Sequence, residues 1–288
     1  MPVYPSFKVR PMFLDDLEHG LNLSKAEGWN QTEKDWRLLI ENPLNTCLVV
    51  ENFKRIIGTA TALSHSNKLA WIGMVLVDKD FRGQGAGKIL MTQLLEKLRH
   101  FKSVKLDATP AGQPVYTKLG FVDEHIIYRM TNPSMKKLSY DQSDQGIRPI
   151  LSERFRETIK FDKQIFGVDR TYLLETLFRN YPGKAFMIER NNKFCGYTLG
   201  RDGTRLNYIG PVFAYSSDDA KTLLSEALKS LINLPVALDV LQDKRDLIKW
   251  LESIGFIKQR HFVRMYLRSN PYPGIVKNQY LISGPEFG

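Results

Sequence analysis

The sequence predicts an α/β protein of the α+β type: two copies of one domain in tandem, each a central mixed, mostly antiparallel sheet flanked by helices. The first observation behind this is an internal echo. "KLDATPAGQPVYTKLGFVDEHIIYRM" (Lys105 to Met130) is matched by "ALDVLQDKRDLIKWLESIGFIKQRHFVRM" (Ala237 to Met265), each with Leu-Asp, an amphipathic segment, Gly-Phe, and Arg-Met with the Arg eight residues after the Phe. Upstream, "RIIGTATAL" pairs with "KFCGYTLG" and "WIGMVLV" with "YIGPVFA"; Gly58 and Gly196, Ile72 and Ile209, and Phe121 and Phe256 lie 138, 137 and 135 residues apart. Spacing this constant is the mark of a duplication. The second observation is the alternation of β-branched apolar runs with amphipathic segments, which excludes an all-helical chain. The third is length: 288 residues suffice for two domains of ordinary size.

In chain order, "LDDLEHGLNLSKA" and "NQTEKDWRLLIEN" read as helices, and "TCLVVE", "RIIGTATALS" and "LAWIGMVLV" as strands. Gln84 to Arg99 reads as a helix with Leu90, Leu94, Leu95 and Leu98 on one face. A strand, a helix and a final hairpin complete each copy. The join falls in Asn132 to Pro149, rich in Pro, Ser, Gly and charge, giving domains over 1–135 and 145–288.

The formal charge of +10 favours an anionic partner, but the basic clusters are short and most have acids beside them, as in "DKRD". A polyanionic small molecule accounts for this balance as well as nucleic acid does. Basic residues interleaved with aromatics are absent, so nucleic acid is not the expected partner. Cys47 and Cys195 sit in apolar runs without a CxxC or Cys/His cluster, which reads as small buried thiols, a reducing compartment and no metal. The N-terminus has no apolar signal core, and the longest apolar run, Leu69 to Val77, is far short of the ~20 residues a membrane span needs. The expected location is the cytoplasm.

"WIGMVLVDKDFRGQGAGKILMTQLLEKLRH" (Trp71 to His100) places Arg82, Gly83, Gly85 and Gly87 where a helix should begin. A helix N-terminus offers unpaired N–H groups and the positive end of a dipole, and glycines let phosphate oxygens approach the backbone. The amides from Arg82 to Lys88 could wrap a pyrophosphate, with Arg82 and Lys88 adding full charge. A P-loop does not fit, because no Gly-Lys-Ser/Thr is present, and a Rossmann turn does not fit, because no acidic residue follows on a second strand.

The turn Arg82, Gly83, Gln84, Gly85, Ala86, Gly87 resembles the Q/R-x-x-G-x-G/A signature of the GNAT superfamily of N-acetyltransferases, and "VYTKLGF" (Val115 to Phe121) is similar to that fold's Tyr-x-x-x-Gly-Phe ending. The second half, with "FGVDRTYLL", "YIGPVFA" and "SGPEFG", resembles the degenerate GNAT-like domain of tandem members. The resemblance implies acetyl-CoA as cofactor and an amine acceptor. It implies that the Val75 amide faces the thioester carbonyl, Val77 holds the pantetheine arm and Tyr116 protonates the sulfur. Thr109 stands where the family commonly has an asparagine contacting the cofactor, and Trp71 where some relatives carry a catalytic glutamate. Glu27, His65, Asp107 and Asp169 are candidate bases, none singled out.

Acceptor contacts are expected from Trp29, Asn30, Trp71, Asp107, Asp169, Arg170 and Tyr208, with Arg170 favouring an acceptor that carries a carboxylate. The second copy is expected not to bind cofactor, because Asp218 and Asp219 begin the equivalent helix. Its expected role is to enclose a small-molecule amine. Two other readings stand beside this one: a regulatory protein that binds coenzyme A without turnover, and a basic nucleic-acid binder.

Overall fold

The structure, a computed structural model, describes residues 6–138 and 146–288. The first five residues and the middle of the expected join lie outside the described residues. The first copy runs β1 (Phe7–Pro11), α1 (Leu17–Ala26), α2 (Glu33–Glu41), β2 (Thr46–Asn52), β3 (Arg55–His65), β4 (Leu69–Val77), α3 (Ala86–Lys97), β5 (Ser103–Ala108), α4 (Gln113–Lys118) and β6 (Val122–Asn132). The second repeats that order as β7 (Ile147–Pro149), α5 (Phe155–Phe166), α6 (Thr171–Asn180), β8 (Phe186–Arg190), β9 (Lys193–Arg201), β10 (Asn207–Ala214), α7 (Ser217–Lys229), β11 (Val236–Leu241), α8 (Arg245–Ser253) and β12 (Ile257–Arg268), then adds β13 (Gln279–Leu281).

Local chemistry sets these elements. Thr32 and Asp35 form a capping box at the start of α2, the Asp35 carboxylate accepting from the Thr32 amide at 2.7 Å. The helix then buries Trp36, Leu38 and Leu39 on one face. Helix α3 begins at Ala86, two residues later than the sequence predicts, because Gly83 and Gly85 take φ of +75° and +94°, a left-handed conformation that no helix continues.

Among the described residues thirteen strands form one sheet, in the order β1-β2-β3-β4-β5-β12-β6-β11-β13-β10-β9-β8-β7. Apart from β13 the order is a palindrome, so the copies are related by a pseudo-twofold at the β12–β6 pair. They exchange their last strands: β12 of the second copy pairs antiparallel with β5 of the first, and β6 of the first with β11 of the second. The first copy therefore ends on one uninterrupted strand and not on a hairpin; the antiparallel partner that a hairpin would have supplied comes from the other copy. The exchange extends to the cores, since Val263 and Met265 of β12 pack with Leu90 and Leu94 of α3, and Met130 of β6 packs with Leu223 and Leu228 of α7. A third cluster joins the two helical pairs, with Trp36 and Leu39 of α2 beside Leu173 and Leu177 of α6. Division near residue 140 thus separates the repeats in sequence but not the sheet.

One difference between the copies positions the site. Strands β4 and β5 pair in parallel only over Leu69–Ile72 and Ser103–Leu106, and then part. Strands β10 and β11 pair only at Asn207 and Tyr208 with Val236 and Ala237, and their gap is filled by β13, where Leu281 lies opposite both Val212 and Val240.

Candidate active site

Past Ile72 the unpaired edge of β4 opens onto a cleft of about 170 Å³. Its walls come from Trp29, Gln31, Gly73, Val75, Asp107, Thr109, Tyr116 and Arg129 of the first copy, and from Arg260, Phe262, Pro285 and Glu286 of the second. Of the sequence-predicted residues, the structure brings Trp29, Val75, Asp107, Thr109 and Tyr116 together here.

The Tyr116 hydroxyl has no hydrogen-bond partner among the described residues, and burial pushes its phenol up to about 12, which keeps it protonated across the physiological range. Thr109 lines the cleft while its hydroxyl accepts from the Gly112 amide at 3.2 Å. Val77 lies one pleat beyond the cleft wall; its side chain packs on the α3 cluster and its carbonyl accepts from Arg82 Nε at 3.0 Å.

Beyond Val77, the turn 82–85 leads into α3. Arg82 also donates to Glu27 at 2.6 Å, so that Glu27, a candidate base, is an ion-pair partner of the loop. Gln84 Nε2 donates to the Asp80 carbonyl at 2.8 Å. Gly85 occupies the N-cap without a side chain to accept from the first amides of α3, and a Cβ at Gly83 or Gly85 would meet nothing within 4 Å. Ala86, Gly87 and Lys88 form the first turn of α3. The first-turn amides are open to an anion, which is the fit that a pyrophosphate requires.

Several expected acceptor contacts are corrected. Arg170 has no exposed side-chain surface: its Nε and NH2 bind Asp162 at 3.1 and 2.6 Å, and NH1 donates to Ser283 and the Gly288 carbonyl. Asp169, one residue ahead of the N-cap of α6, accepts from the Thr171 amide at 2.9 Å and pairs with Lys163. Tyr208 is buried, donating to Asp239 at 2.9 Å. Asn30 is a clasp between copies, with Oδ1 accepting from the Arg205 and Leu206 amides and Nδ2 donating to the Leu206 carbonyl. Trp71 turns away from the cleft and donates to the Pro285 carbonyl at 2.9 Å. Asp107 keeps its place in the wall, but both its oxygens are taken by Arg264. His65, a candidate base, is buried and neutral, donating through Nε2 to the Phe287 carbonyl at 3.2 Å; burial and the nearby Arg170 bring its pKa down to about 3. In each case a partner distant in sequence, or an amide two residues away, has claimed the polar group.

Sequence reasoning missed the second copy's main contribution. The segment after β13 crosses the pseudo-twofold and lies against β4 so closely that a Cβ on Gly73 would stand 2.8 Å from Glu286 Cα. The Glu286 carboxylate accepts from Gln31 Nε2 at 2.9 Å and Arg201 NH2 at 2.7 Å. Burial raises its proton affinity, but Arg201 and Gln31 outweigh this and hold its pKa below the ordinary carboxylate range. The "SGPEFG" ending was visible in the sequence, but nothing in its spacing ties it to the glycine turn.

In the second copy the equivalent features are closed. Ser216 caps α7, Asp219 accepts from Ser216 and from Arg190 Nε at 3.0 Å, and in register with the Gly-Phe pairs Leu251 stands where the first copy has Tyr116. Among the described residues no cluster of His, Cys, Asp and Glu could hold a metal, and no helix is long and apolar enough to cross a membrane.

Comparison with known proteins agrees with this architecture. A family model described as Acetyltransferase (GNAT) family matches residues 12–121, and one described as Acetyltransferase (GNAT) domain matches residues 158–281, together well over half the chain. The chain belongs to the GNAT acetyltransferases and is a tandem member, an acyltransferase. Holothin acyltransferase of Pseudoalteromonas sp. (strain SANK 73390) is 26% identical over 218 residues, covering 75% of this chain and 72% of the relative. The uncharacterized N-acetyltransferase YitH of Bacillus subtilis (strain 168) is 25% identical over 243 residues, 83% of each. A Pyrococcus horikoshii structure assigned as an acetyltransferase superposes with a TM-score of 0.82 at 23% identity, over all of this chain and 98% of the other. At that identity the likeness speaks for the fold.

Proposed function

We propose that the protein is an acetyl-CoA dependent N-acetyltransferase that acetylates the amine of a small molecule by direct attack in a ternary complex. The observation that carries this reading is the contrast between the two strand gaps: that between β4 and β5 is open and lined by Val75 and Tyr116, whereas that between β10 and β11 is filled by β13. Acetyl-CoA, when bound, supplies an acyl group activated as a thioester. The amides of Gly83, Gln84, Gly85, Ala86, Gly87 and Lys88 would hold its pyrophosphate, with charge added by the Arg82 and Lys88 side chains; the Arg82 amide itself already donates to the Lys79 carbonyl at 3.4 Å. Val77 and Thr109 line the path of the pantetheine arm.

The Val75 backbone N–H donates to the carbonyl oxygen that gains charge as the amine attacks. The amine enters from the side walled by Trp29 and Glu286, and it must first lose its proton, because an alkylammonium with a pKa of ~10.4 has no lone pair to offer. Tyr116 gives its proton to the departing sulfur and recovers one from solvent, to which the attacking nitrogen loses its own, so that the neutral amine ends one proton poorer and the sulfur one richer. The small volume of the cleft and its cover by the second copy favour a small molecule over a folded protein as acceptor. Thiol release from acetyl-CoA in the presence of a panel of small amines tests the proposal. Release that depends on amine is expected; tight cofactor binding with no release on any amine would leave a binding protein instead.

A further inference from the structure

The buried charges around the cleft do not balance locally, and their imbalance describes a ligand. Arg129 is matched by Asp239, and Arg264 by Asp107, each through two hydrogen bonds. Arg201 is divided between two carboxyl groups, binding Asp35 at 2.8 Å and Glu286 at 2.7 Å; burial pushes Asp35 above the ordinary carboxylate range, whereas Glu286 is held below it. Arg260 has no such match. It lines the same cleft, half-buried, with no ion-pair partner among the described residues, and its buried Nε makes no hydrogen bond. Its guanidinium lies 5.0 Å from the Phe262 ring centroid, and that of Arg129 lies 5.1 Å from the same ring. Burial and repulsion from Arg129 weigh against its charge more than the carboxylates of Asp239 and Glu286, neither in contact with it, favour it. A guanidinium in such surroundings is costly to leave without an anion.

At the Glu286 side the polar side chains that line the cleft are Gln31 and Glu286. The carboxylate stands beside the Gln31 side chain, whose Nε2 is spent on Glu286 and whose buried Oε1 has no hydrogen-bond partner. One wall of the cleft therefore lacks a donor and the other lacks an anion.

We propose that the acceptor is an amino-carboxylate, its ammonium or amine received by Glu286 and Gln31 Oε1 and its carboxylate by Arg260. This rests on the acyl-transfer reading of the same cleft and names its substrate class. A planar guanidinium with Nε free donates two parallel hydrogen bonds to a carboxylate, which a neutral carboxamide cannot match. The two seats do not pair with each other, so a ligand spanning them satisfies both. Arg260 and Glu286 both come from the second copy, which gives that copy a role in acceptor recognition.

The test uses the full chain and a panel of free amino acids and ω-amino acids, each beside its carboxamide and its decarboxylated amine. Thermal shift without cofactor reads binding, and thiol release from acetyl-CoA reads turnover. Amino-carboxylates are expected to stabilise the protein and to be acetylated with a KM roughly 10- to 100-fold below their carboxamides, the range for hydrogen bonds to a charged group. Arg260→Gln should abolish that discrimination, and Arg260→Lys should restore part of it. Glu286→Gln should weaken binding of every amine while coenzyme A affinity stays unchanged. Carboxamides or decarboxylated amines that stabilise wild type as well as the amino-carboxylates do, or discrimination that persists in Arg260→Gln, would overturn the inference whatever the cofactor data show. Failure of acetyl-CoA to bind or react, with the thermal-shift discrimination intact, would instead remove the catalytic reading and leave the amino-carboxylate site standing.

Discussion

Arg129 of the first copy grips Asp239 of the second through Nε at 2.8 Å and NH2 at 2.6 Å, and its counterpart in the repeat, Arg264, grips Asp107 through the same two atoms at 2.9 and 3.0 Å. Both carboxylates have side chains with no exposed surface. Every Leu-Asp and Arg-Met that reveals the duplication is thus spent on joining one copy to the other. Removing one member of such a pair strands a buried charge, which costs about 3–5 kcal/mol. Arg129→Ala and Arg264→Ala should each lower the unfolding free energy by that order in urea. Because the pairs sit on exchanged strands, both copies should still unfold in one transition. A variant that melts one copy at a time would contradict this.

Gly85 at φ +94° is free of neighbours, so Gly85→Val strains the turn and places a side chain where an anion would approach the amides. Coenzyme A affinity should fall at least tenfold while the far-ultraviolet circular dichroism spectrum is kept. Arg82→Ala should also weaken affinity, by less, because its guanidinium is already shared with Glu27.

Tyr116→Phe retains the ring against Phe121, at 5.9 Å between centroids, and deletes the proton. The turnover number should drop by ~10² to 10⁴ with the acetyl-CoA KM nearly intact. With the wild-type phenol pushed up to about 12, no loss of activity from its ionisation should appear below pH 10. Wild-type turnover in the Phe variant would assign the proton to another group.

How much of this was legible in the sequence depends on the range of the contacts. The duplication, the order of elements along each copy from its first helix onward and the glycine turn are local patterns, and the Gly83 and Gly85 conformations follow from the glycines themselves; the short leading strands β1 and β7 were not read. The exchange of β6 and β12 was not legible: each final strand carries the same Arg-Met, and nothing in an arginine says whether the Asp of its own copy or of the other will face it. Arg170 was misread for a related reason. Its partner Asp162 lies on the helix before it, and only the packed turn at Gly167 brings them together. Glu286 lies far from the glycine turn in sequence and reaches the cleft only because β13 fills the second gap.

His65 holds the segment that carries Glu286, donating to the Phe287 carbonyl near Arg170 and Asp169. Its pKa is about 3 in the folded state against 6.5 for the free side chain, so the unfolded chain binds the additional proton between those values. Stability is complete above pH 6.5 and is lost as pH falls toward 3. His65→Gln should flatten that part of the stability profile in denaturant titrations between pH 7 and pH 4. An unchanged slope would show that other groups set it.

If the gap between β4 and β5 is the place of the cofactor, the copy whose equivalent gap is filled by β13 should bind none. Isothermal calorimetry of the full chain with acetyl-CoA tests this most directly, in wild type, in Gly85→Val and in Asp219→Ala, which opens the capped start of α7. One cofactor per chain is predicted, with binding weakened by the Gly85 variant and untouched by the Asp219 variant. Two cofactors per chain, or binding that survives Gly85→Val and fails in Asp219→Ala, would contradict it.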